Sequence, residues 1–146
     1  MKTIGTDFAE DVKINKMALD VECEFLAPTY YYYAGALAEA KAAQDTAKDN
    51  LSATEARRER FYRLNPPDGY KVTESVITAL VQDDREVQDA KDILREETAK
   101  VGALYASVNA IEIKKDCVAN LVKMSISNYY ASSNVNEGSD RDRFSK

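Results

Sequence analysis

The chain has 146 residues, a formal net charge of −5, 45% hydrophobic and 31% charged residues, and no histidine. That length predicts one domain with enough apolar material for a core, and the acidic balance excludes a uniformly basic coat for a polyanion. The lack of histidine removes the commonest general base, proton shuttle and metal ligand together.

Only 5 Gly and 3 Pro stand against abundant Ala, Glu, Asp, Lys and Leu, which leans towards an all-α fold. Cys23 and Cys117 lie far apart, outside any CxxC or zinc spacing. They are expected as free thiols in a reducing compartment, buried as small hydrophobes. The opening "MKTIGTDFAEDVK" has no apolar stretch of signal-peptide length. The uncharged run from Phe25 to Ala38 is too short to span a bilayer. The expectation is a cytoplasmic protein with no membrane partner.

Residues 1–13 read as an irregular lead-in. Asn15 is placed to cap a short helix over about 15–26, with Ile14, Ala18, Val21 and Phe25 at helical spacing. Pro28 is tolerated in a first helical turn and predicts a second helix over about 28–64. About 35 residues at 1.5 Å each make a rod of roughly 50 Å. At its start, "PTYYYYAGALAEA" puts Tyr30 and Tyr33 on one face with Leu37 and Ala40, as a packing stripe. Tyr31 and Tyr32 point elsewhere.

"NPPDGY" at 65–70 is a clear break. Thr73 predicts the cap of a third, short helix, with Glu74 in its first turn and Val76, Ile77, Leu80 and Val81 as its apolar face. Asp83 followed by Glu86 reads as a capping-box start for a long fourth helix over about 83–132. A heptad runs along it through Val87, Ala90, Leu94, Glu97, Val101, Leu104, Val108, Ile111, Lys115, Val118 and Val122, apolar at nine of eleven positions. Ile93, Tyr105, Ile113, Leu121, Met124 and Ile126 lie beside that stripe. A helix with more than one apolar face, in so short a chain, predicts self-association.

The expected fold is therefore an elongated all-α bundle of two long and two short helices. Residues 1–132 form a single helical domain and 133–146 a flexible polar tail. Leu94, Val101, Leu104, Val108, Ile111, Val118 and Val122, with Tyr30 and Tyr33, are the expected packing residues.

No phosphate-binding loop, nucleophile motif or metal-ligand spacing is present, so no catalysis, cofactor or metal is expected. The chemical anomaly is "ARRERFYRLNPPDGYK". Arg57, Arg58, Arg60, Arg63 and Lys71 stand there against Glu59 and Asp68, with Phe61, Tyr62 and Tyr70 interleaved. Arginine forks pair with phosphates, and aromatic rings stack on bases of single strands. With no base-reading motif, such contact is to backbone and independent of sequence. The same residues also suit a solvated helix C-terminus, where cations meet the helix dipole.

The order of these features resembles the UvsY-like recombination mediators of tailed phages over about residues 11–130. "DVKINKMALDVECE" is similar to the family's opening at Asp11, Val12, Leu19 and Glu22. Tyr30 and Tyr33 fall where the family has two spaced aromatics, and "ARRERFYR" where it has a basic stretch running into paired aromatics. "KVTESVITALVQDDREV" and "IEIKKDCVANLVKM" resemble the later short helix and the Lys-bearing assembly helix. The resemblance implies a ring-like homo-oligomer in the cytoplasm of the phage-infected host. It implies a protein that binds single-stranded DNA and helps load a RecA-like recombinase onto strands covered by single-strand-binding protein. By position it makes Arg57, Arg58 and Arg60 DNA contacts; chemistry extends the set to Tyr62, Arg63 and Lys71. The competing expectation is a coiled-coil adaptor of a phage assembly with no nucleic-acid role.

Overall fold

The computed structural model describes residues 4–69 and 71–127. Among them are four helices and no strand: α1 (Phe8–Val12), α2 (Leu19–Leu64), α3 (Glu74–Asp83) and α4 (Arg85–Ile126). The all-α expectation holds. The chain divides into two compact units, one made of residues up to Tyr33 and those from Ser107 on, the other of Ala34–Ala106.

Several helix boundaries differ from the sequence reading. The expected helices over 15–26 and 28–64 are one helix, α2, with Pro28 inside it. Proline removes a single ladder bond there, at a cost of about 3 kcal/mol. The turn is held by other means: Thr29 is buried, and its hydroxyl donates to the Phe25 carbonyl at 2.7 Å. Glu22, Thr29 and Tyr33, at helical spacing across the proline, are all buried. Asn15 does cap, but it caps the turn before α2, accepting from the Met17 N–H at 3.0 Å.

The lead-in also contains α1. Asp7 caps it, accepting from the Ala9 N–H at 2.9 Å. Phe8 then meets the buried Tyr33 edge to face, with ring centroids 5.4 Å apart. Gly5 has a φ of 82°, and a Cβ there would run into the Tyr32 ring.

The core of the first unit is partly ionic. Asp11, Glu22 and Lys114 are buried beside Tyr33, Val108, Ile111 and Val118. Lys114 Nζ donates to the Asp11 carbonyl at 2.8 Å and lies 2.6 Å from Glu22 Oε2. Asp11 Oδ2 accepts from the Tyr33 hydroxyl and the Gly5 N–H, both at 2.8 Å. This corrects the heptad at its polar step. Lys115, the expected seam residue, is exposed, and Lys114 occupies the seam. Both positions lie within four residues of Ile111 and Val118, so spacing cannot choose between them. Partners on other elements do, since Asp11 and Glu22 receive an ammonium only at 114.

Tyr30 is corrected too. It is 42% exposed, with its hydroxyl 3.5 Å from Glu112, while Tyr33 alone of the pair is buried. Both cysteines are exposed, against expectation. Cys23 follows Glu22 and Cys117 precedes Val118, one step off the buried faces.

In the second unit α2 and α4 run antiparallel. Gln44 donates to Thr98 at 2.9 Å and, further along α2, Arg58 donates to Asp84 at 2.7 Å. Thr73 caps α3 as expected, accepting from the Val76 N–H. Ile77 and Val81 of α3 bury Val87 of α4 completely, with Leu51 and Tyr62 of α2 closing the cluster. Beyond the reach of α3, Leu94, Val101 and Leu104 are only half-buried. The cap of α4 is Asp84 rather than Asp83: its carboxylate accepts from the Glu86 N–H at 2.9 Å and its carbonyl from the Gln88 N–H at 2.9 Å. Val108, Ile111 and Val118 are buried and Val122 half-buried. The expected end of the last helix at 132 and the tail at 133–146 lie outside the described residues.

Candidate nucleic-acid interface

The last two turns of α2 carry Arg57, Arg58, Arg60, Phe61, Tyr62 and Arg63. No proline or glycine interrupts them, and arginine suits a helix C-terminus. One hundred degrees of rotation per residue then spreads these side chains around the helix. One edge of that array faces α3 and α4, and the rest faces solvent.

Arg58 is on the inner edge. Its Nε donates to Asp84 Oδ2 at 2.7 Å, and the Tyr62 hydroxyl donates to the same oxygen at 2.7 Å. Its guanidinium also lies 4.4 Å from the Phe61 ring centre and 5.2 Å from that of Tyr62. The Asp84 side chain is 5% exposed and that of Arg58 20%. Burial works against ionisation of Asp84, but the Tyr62 hydroxyl, the Arg58 guanidinium and the Glu86 N–H outweigh it. Together they hold its carboxyl below the usual carboxylate range.

Arg57 and Arg63 lie further out. Arg57 pairs with Glu86 of α4, both side chains being more than half exposed. Arg63 makes a fork-to-fork pair with Glu74 of α3, at 2.9 and 2.8 Å, and reaches Glu59 at 2.7 Å. These bonds raise the Arg63 pKa, Glu74 first and Glu59 second, and the Arg63 fork lowers that of Glu74. Ion pairs this exposed contribute little to stability, because solvent screens them and ordering the side chains costs entropy.

Arg60 is exposed, and its side chain makes no ion pair or hydrogen bond among the described residues. Phe61, next to it, is 45% exposed. Lys71 is exposed in the connection between α2 and α3, where Gly69 takes a φ of 87°. Tyr70 lies outside the described residues. The structure thus brings five of the six expected site residues onto one helix end. Three of the four arginines there already hold carboxylates, and the Tyr62 hydroxyl is engaged by Asp84.

The acids that answer these arginines were missed in the sequence reading. Glu74 and Glu86 were read only as helix-start residues, which they also are, and the cap of the last helix was placed on Asp83, next to Asp84. A surplus of acid in "TESVITALVQDDREV", directly after a surplus of base, is the signal that would have found them. The Asp11, Glu22 and Lys114 set was missed as well.

Among the described residues, no group of three or more His, Cys, Asp or Glu side chains is placed to hold a metal. None of the described helices is long and apolar enough to cross a membrane. Fold and site together define an all-helical protein whose basic helix end is flanked by an exposed aromatic and answered by acids from the next two helices. No protein-family model, curated protein or solved structure matches the chain.

Proposed function

We propose that the protein binds single-stranded DNA through its phosphates, without sequence preference, at the basic end of α2. The observation that carries this reading is Arg60, exposed and unpaired among the described residues, beside the exposed ring of Phe61. A free guanidinium next to a stacking surface suits a strand whose bases are unpaired. Following the resemblance, the protein acts as a recombination mediator that loads a RecA-like recombinase onto strands coated by single-strand-binding protein. It does so as a ring-like homo-oligomer in the phage-infected cytoplasm, with no catalysis of its own. Exposed Ile93, Tyr105 and Ile113 on α4 supply apolar surface for such assembly. Repetition turns one short basic segment per copy into a track, and weak sites add by avidity.

The test is Arg57→Glu combined with Arg60→Glu. Binding to oligo-dT should weaken strongly at unchanged helicity, and wild-type binding should fall steeply with salt. Unchanged binding by both filter retention and anisotropy would remove the assignment.

The second reading is a coiled-coil adaptor with a protein partner and no DNA affinity. It is favoured by the carboxylates already held by Arg57, Arg58 and Arg63. Helicity with no oligo-dT binding at low salt supports it.

A further inference from the structure

We infer that Glu74 and Glu86 are built-in competitors for the phosphates of a bound strand, so that the basic end of α2 opens by exchange of ion pairs. The inference rests on the single-strand-binding reading above. Arg63 holds Glu74 in a two-pronged pair at 2.9 and 2.8 Å, and Arg57 holds Glu86, which Arg58 Nη1 also approaches at 3.7 Å. A carboxylate presents two oxygens to a guanidinium much as a phosphate does, so the two compete for the same fork. These pairs are exposed enough to exchange: the Glu74 side chain is 77% exposed and that of Glu86 51%.

The Arg58–Asp84 pair does not exchange. Asp84 is buried, and its carboxylate also accepts from Tyr62 and the Glu86 N–H, so pulling Arg58 away strands a charge inside the fold. The six residues therefore divide into three kinds. Arg60 and Lys71 make the first contact. Arg57 is recruited when phosphates displace Glu86, and Arg63, still paired along α2 with Glu59, when they displace Glu74. Arg58 and Tyr62 hold Asp84 and position the helix end. Because Glu74 opens α3 and Glu86 lies in the first turn of α4, exchange removes one ion pair between α2 and each of these helices, while the Asp84 contacts and the apolar cluster around Val87 still hold them together.

The experiment is oligo-dT anisotropy at low salt with wild type, with Glu74→Gln plus Glu86→Gln, and with a charge-matched control, Asp89→Asn plus Glu96→Gln, on exposed α4 positions. Circular dichroism checks that each variant folds. The competitor variant should bind roughly five-fold tighter than wild type, the size of effect that two exposed ion pairs carry. The control should change affinity by less than about two-fold, the effect of charge alone at a distance. Adding Arg57→Ala and Arg63→Ala to the competitor variant should abolish the gain. Wild-type binding with no gain in the competitor variant, or an equal gain in the control, overturns the exchange while leaving strand binding intact. No binding by wild type or by the competitor variant overturns both.

Discussion

Arg58 of α2 donates through Nε to Asp84, the residue that caps α4, across 2.7 Å, whereas its neighbour Arg57 reaches only the exposed Glu86. Adjacent residues of one basic segment thus have different structural weight. Arg58→Ala is expected to lower Tm by several degrees, because a buried carboxylate loses its counter-charge. Arg57→Ala should change it little. Thermal denaturation followed by circular dichroism compares them, and equal shifts would show that Arg58 is no more anchored than Arg57.

The same contact gives a pH dependence. Burial raises the Asp84 pKa, but Tyr62, Arg58 and the Glu86 N–H lower it further, so it lies below the ordinary value. An unfolded aspartate takes up its proton near pH ~4. The unfolded chain therefore binds more protons in acid, and the stability contributed by Asp84 is lost as pH falls below that value. Asp84→Asn should lower Tm at neutral pH, with the gap to wild type closing below about pH 4. A gap that stays constant across acid pH argues against the contact.

Tyr33 supplies the alkaline counterpart. Burial and then its bond to Asp11 push the phenol well above its ordinary pKa. Unfolded tyrosine ionises near pH ~10, so this contribution is complete below that pH and declines above it. Tyr33→Phe should reduce the loss of Tm between neutral pH and pH ~11 relative to wild type.

Lys114 and Lys115 separate the seam from the surface. Lys114→Ala leaves Glu22 buried without its ammonium, at an expected cost of roughly 3–5 kcal/mol. Lys115→Ala should stay within about 0.5 kcal/mol. Urea denaturation of both reads the difference, and similar midpoints would put the wrong lysine inside.

Glycines give a test of opposite sign. Gly5→Ala should destabilise, because φ there is 82° and a Cβ meets the Tyr32 ring. Gly35 and Gly102 lie inside helices with open space where a Cβ would go. Alanine at either should stabilise by about 0.5–1 kcal/mol. A destabilised Gly35→Ala variant would mean that another surface lies against that face.

The sequence by itself determined what depends on near neighbours along the chain. Helical composition, the break at 65–70, the Thr73 cap and the apolar face of α3 are set by propensity, turn chemistry and helical spacing. The buried stripe through Val108, Ile111 and Val118 follows from the same spacing. Only the tertiary structure decided what depends on partners far away in sequence. Pro28 stays inside α2 because packing on both sides outweighs one missing bond. Lys114 rather than Lys115 turns inward because Asp11 and Glu22 wait there. The basic end of α2 was legible as a cluster of charge, but which of its charges are free was not. Local pattern sets how many arginines a helix end carries, whereas the acids of α3 and α4 set which of them a phosphate meets unopposed.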